Sequence, residues 1–104
     1  MMRGMNIPPK TLWDRDGLHV WAERSWSGGL VISGQHLMEG SEYEYAITVG
    51  ATDAHKVAES LGTPFNLIRT ALATAYPTGI RPAGEMAWLK GIGVEGRLWS
   101  RFDG

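Results

Sequence analysis

Arg97, Trp99 and Arg101 alternate within Val94–Phe102, and alternation at period two puts all three on one face of a strand. Two guanidiniums flanking an indole make a stacking platform of the kind that grips single-stranded nucleic acid or a small flat ligand. Glu95 is expected to share that face, and the chain carries a net charge of −1. Phosphate contact therefore lacks the basic surplus it needs. Glu42 and Glu44 also share a strand face. Paired carboxylates do acid–base work only where a cleft holds them roughly 5–9 Å apart around a substrate. On a chain of 104 residues the simpler reading is an exposed acidic strip, complementary to a basic partner.

Other constellations are weaker. Gly91-Ile92-Gly93-Val94-Glu95-Gly96 matches the dinucleotide fingerprint literally. That fingerprint must follow a strand and open a helix, whereas this string follows a helical pattern and opens a strand. It reads as a helix end plus a turn. His19, His36 and His55 show none of the spacings that converge on a metal. His36 with Glu39 and Glu42, placed around the loop after the third strand, reads as solvated loop residues. No serine sits in a nucleophile elbow or beside a histidine and an acid in sequence. The chain has no cysteine, which excludes disulfides, thiol catalysis, thiolate zinc sites and iron–sulfur clusters. No catalytic residue, metal site or cofactor is expected.

Five tryptophans are many for this length. Trp88, beside Met86 and Leu89 in a helical pattern, reads as core, and Trp13 and Trp21 as packed on a sheet. Trp26 falls in the turn Ser25–Gly29, where an indole is hard to bury, and is a candidate contact residue.

These residues need a scaffold. Thr11–Asp14, Leu18–Arg24, Leu30–Leu37 and Glu42–Val49 alternate as strands, with turns at Asp14–Gly17, Ser25–Gly29 and Met38–Ser41. The clearest alternation sets Tyr43, Tyr45, Ile47 and Val49 against Glu44, Ala46 and Thr48, which predicts one wet face and one buried face. The period then lengthens. Ala54, Val57, Ala58 and Leu61 predict a helix capped by Thr52 or Asp53. Pro64 is placed at the first position of a second helix, with Phe65, Ile68, Leu72 and Ala75 or Tyr76 as its stripe. Pro77-Thr78-Gly79 is expected to break it, and Pro82 to open a third helix ended by Gly91. Val94–Phe102 is the last strand, which must return to the sheet to satisfy its backbone.

Helices grouped after strands predict an α+β fold: an antiparallel sheet of four or five strands, three short helices packed on one face, and a final strand returning to the sheet. Residues 1–9 read as a flexible tail without a secretory h-region, and 10–104 as one domain. Hydrophobic content of 43% supports a core burying about two-thirds of the unfolded surface. No run approaches the ~20 apolar residues of a membrane span. A cytoplasmic protein is expected. An exposed edge strand leaves a homodimer open.

Gly34-Gln35-His36-Leu37, then Glu42–Val49, Trp88-Leu89-Lys90-Gly91-Ile92 and Leu98-Trp99-Ser100 resemble a group of small uncharacterised actinobacterial α+β domains, across residues 28–101. The pattern of that group has Asp where this chain has His36. Its members resemble small immunity proteins encoded beside toxins, and the resemblance attaches no reaction and no active-site residue to the chain.

Taken together, these readings predict a non-enzymatic protein-binding domain, of the immunity-inhibitor type, that contacts an unknown protein through Trp26, Glu42, Glu44 and Trp99. The alternative is a small-ligand or single-stranded nucleic-acid module built on Arg97, Trp99 and Arg101.

Overall fold

The computed structural model describes residues 9–104; the tail expected over residues 1–9 lies, apart from Pro9, outside the described residues. Five strands form one antiparallel sheet in chain order: β1 (Lys10–Arg15), β2 (Leu18–Arg24), β3 (Leu30–Met38), β4 (Ser41–Val49) and β5 (Arg97–Asp103). Between β4 and β5 run α1 (Ala51–Ser60), a 3₁₀ turn (Phe65–Leu67), α2 (Ile68–Ala75), a π turn (Tyr76–Ile80) and α3 (Glu85–Gly91). The α+β expectation holds, and the last strand does return to pair with β4.

Alternation sorts the side chains. Leu30, Ile32, Ile47 and Val49 point to the helical side and are fully buried, with Val20 and Ala22 beside them. Burying one such aliphatic side chain contributes about 1.5–3 kcal/mol, so this layer dominates the stability of the sheet. α2 lies over β1 and β2 and seals them with Ile68, Leu72 and Tyr76. A bulge between Thr11 and Trp13 lets Leu12 and Trp13 both reach this layer. The helices do not extend over β5, all seven residues of which are exposed.

Several local expectations are corrected. α1 is capped by the extended residue Gly50, not Thr52 or Asp53, because the chain passes directly from β4 into the helix. Asp53 sits in the first helical turn, where its carboxylate meets Lys56 at 3.3 Å and suits the positive helix end. Pro64 is extended and precedes a 3₁₀ turn, so α2 starts only at Ile68. Pro77 does not end the helical path. The turn widens to i→i+5, the Arg81 N–H donating to the Tyr76 carbonyl at 2.8 Å, and the missing proline N–H falls where none is required. Gly84, at φ 90°, caps α3 in place of Pro82. β5 begins at Arg97, because the Val94 N–H is still tied to the Leu89 carbonyl at 2.9 Å. Glu95 is therefore not on its face; its N–H turns to Asp53 at 3.4 Å.

Candidate binding surface

Among the described residues nothing packs over the face opposite the helices. Register across it places Trp21 beside Ser33, Ser33 beside Ala46 and Ala46 beside Trp99. Two indoles thus stand on β2 and β5 with only small side chains between them, about 14 Å apart at three strand spacings. The row on one side is Glu23, Val31, Thr48, Arg97; on the other it is His19, Gln35, Glu44, Arg101. The result is a shallow groove floored by β3 and β4. One wall carries Glu23, Trp21 and His19, and the other Arg97, Trp99 and Arg101. The His19 and Trp21 rings pack 5.0 Å apart, which steadies the first wall.

At one end of the groove lies a polar network. Gln35 Nε2 donates to Glu42 Oε2 at 2.7 Å, and Arg101 Nη2 donates to Glu44 Oε1 at 2.9 Å. The Gln35 amide holds the Glu42 carboxyl below its ordinary value, with the Arg101 guanidinium adding to the effect. Asp14, Glu23, Glu42, Glu44 and Asp103 share this face with only Arg97 and Arg101, so its charge balance is acidic.

The sequence-predicted residues are thus partly united. Glu42, Glu44, Arg97, Trp99 and Arg101 all occupy the open face. Trp26 does not join them. It is 101% exposed on the β2–β3 turn, at the end of the sheet near Glu23 and Arg97 and opposite Glu42. Ser25 holds that turn, its Oγ accepting from the Gly29 N–H at 3.0 Å. The loop cluster of His36, Glu39 and Glu42 dissolves. β3 continues through Met38, and His36 lies within it beside Leu18 and Tyr43 on the helical side, away from Glu42. Among the described residues no three His, Asp or Glu side chains converge as metal ligands would. The contribution of Trp21 was missed, although its alternation with Val20 and Ala22 already put it on the wet face; only cross-strand register shows that it stands opposite Trp99.

The helical side holds a second feature that sequence spacing did not reveal. A cavity of about 550 Å³ opens beside α3, lined by His36, Tyr43, Tyr45, Arg81, Glu85 and Leu98 among others. Glu85 Oε2 accepts from the Tyr45 hydroxyl at 2.5 Å and from the Tyr76 hydroxyl at 2.7 Å. Burial first, and the Glu85 carboxylate second, push both phenols well above their ordinary value, so both remain donors. A Cβ at Gly34 would sit 2.2 Å from the Tyr45 ring, so glycine there is what admits the ring. Arg81 stacks over Trp13 at 4.2 Å and Arg15 lies over the same ring at 4.8 Å. These polar groups are already partnered by one another, which suits a strut joining α3 to the sheet better than a catalytic centre. The glycine string at residues 91–96 also has a structural role: it ends α3 and leads into β5, with Gly93 at φ 79°.

No protein-family model, curated protein or solved structure matches the chain.

Proposed function

We propose that this chain is a non-enzymatic protein-recognition domain of the immunity-inhibitor type, and that its working surface is the open sheet face. The observation that carries this reading is the row Trp21–Ser33–Ala46–Trp99: two aromatic anchors on the open face separated by two small side chains, of which Ser33 is already covered by its neighbours. Indoles at the walls supply the large apolar contacts that dominate recognition energy, and small floor residues offer no steric obstacle. The acidic surplus on the same face steers a basic partner, as an inhibitor of a cationic enzyme requires. Trp26 lies beyond the Glu23 end of the groove and extends the contact line there, while Glu42 and Glu44 serve the other end.

The same charge balance argues against single-stranded nucleic acid on Arg97, Trp99 and Arg101. Five carboxylates repel the backbone those three residues would hold, so titration with oligonucleotides at low salt is expected to leave tryptophan fluorescence flat.

The test uses the full chain as bait for a stoichiometric partner from its native host. Trp21→Ala with Trp99→Ala is expected to weaken capture by about 30-fold or more, corresponding to about 2 kcal/mol for the loss of an anchor. Unchanged capture by the doubly substituted chain, with circular dichroism matching the parent, would place the partner elsewhere.

A further inference from the structure

The two edges of the sheet are built differently. β1 has six residues, is interrupted by a bulge, and carries Lys10 and Arg15 at its ends. The bulge is the device that sets this edge apart, since β5 also carries charge at Arg97, Arg101 and Asp103. β5 has no bulge or proline in its seven residues and, among the described residues, pairs only on its β4 side. Its outer backbone edge is therefore open. Its apolar side chains are open as well, with Leu98 at 53%, Trp99 at 55% and Phe102 at 64% exposure.

We propose that β5 is a homodimerisation strand: two copies of the chain pair edge to edge, antiparallel, about a two-fold axis at Ser100, making one ten-stranded sheet. The strand RLWSRFD is complementary to itself in that register. Arg97 faces Asp103 of the second copy, and Asp103 faces its Arg97. Leu98 faces Phe102, so four apolar side chains cluster on the helical side, next to the exposed Met86 of each copy. Trp99 faces Arg101 on the open side, where a guanidinium over an indole is favourable. Arg101 keeps its Glu44 partner within the chain. Because the axis runs through the sheet, both helical layers stay on the same side, as an isologous contact allows. Sliding the strands by two residues places Arg101 against Arg101 in one direction and Arg97 against Arg101 in the other. Opposite charges along the strand therefore select the Ser100 register.

Sedimentation of the full chain across a wide concentration range reads the result. The wild type is expected to reach twice its 11.4 kDa monomer mass, with a concentration-dependent midpoint. Arg97→Glu and Asp103→Lys each replace two attractions by two repulsions, and each is expected to raise the dissociation constant by about tenfold or more. Both positions are exposed, so circular dichroism is expected to stay at the parent's, and so is the melting temperature at concentrations below the dissociation midpoint, where both chains are monomeric. An equimolar mixture of the two singly substituted chains restores opposite charges at both ends and is expected to form a heterodimer. A wild type that stays monomeric at every concentration overturns the proposal. So does a dimer indifferent to both substitutions, or a mixture that fails to recover association.

Discussion

Glu44 and Tyr45 are neighbours in β4, yet they belong to opposite worlds. Glu44 faces the open side, where it pairs with Arg101 at 2.9 Å and both side chains stay substantially in water. Tyr45 faces the helices and donates to Glu85 across a gap of forty residues in sequence. In the first network water screens every charge, so the pair contributes little. In the second, burial removes the competing solvent, and an unmade hydrogen bond there is expensive. One strand thus carries the open polar face on its even-numbered side chains and a structural strut on its odd-numbered ones, separated by the thickness of a sheet.

Removing Glu85 should break this comparison most visibly. Glu85→Ala leaves the Tyr45 and Tyr76 hydroxyls without their acceptor in a largely buried setting. A loss of about 2–4 kcal/mol in urea unfolding is expected, from two unsatisfied donors and a lost charge in the first turn of α3. Glu44→Ala should cost no more than about 0.5 kcal/mol. Equal losses would mean that the strut and the exposed pair do not differ in the way their surroundings imply.

Alkaline titration sharpens the contrast. Both phenols are held above their ordinary value of 10.0 in the folded state. The proton is therefore bound more tightly when folded than when unfolded. The stabilisation is complete below pH 10 and is lost as pH rises through 10 toward the folded values. Each tyrosine contributes a slope of at most about 1.4 kcal/mol per pH unit in that window. Tyr45→Phe with Tyr76→Phe should flatten the alkaline limb of the stability profile. A limb that persists unchanged in the doubly substituted chain would assign it to other groups.

How much of this was legible in sequence follows from the range of each interaction. Alternation in Tyr43–Val49 is local, so it correctly sorted Ile47 and Val49 inward and Glu44 outward. The facing of Arg97, Trp99 and Arg101 was readable for the same reason. Trp21 opposite Trp99 was not, because two strands and their registers intervene. Nor was Glu85 between Tyr45 and Tyr76, since a carboxylate at the start of a short helix looks like any solvated first-turn acid. Grouping His36 with Glu39 and Glu42 around the loop fails because register puts His36 opposite Tyr43 on the helical side and Glu42 opposite Leu37 on the other face, and β3 extends one residue further, to Met38 opposite Ser41. The proline positions misled in a different way: Pro77 is tolerated by a widened turn, which no propensity scale anticipates.

The smallest expected effect concerns the exposed network itself. Glu42 sits below its ordinary value chiefly because Gln35 donates to its charged form. The sign is opposite to that of the tyrosines: the stabilisation is present above the unfolded value of 4.5 and fades as pH falls through the lowered folded value. Gln35→Leu removes the donor while keeping a side chain of similar length. The Glu42 titration, followed by carboxyl carbon NMR, should move upward, with at most a small fall in melting temperature at neutral pH. Retention of a lowered midpoint after that substitution would transfer the cause to Arg101, and Arg101→Gln would then be the change that moves it. In either case the groups involved are in water and held by single contacts. Either contact can therefore be broken without unfolding anything beneath it.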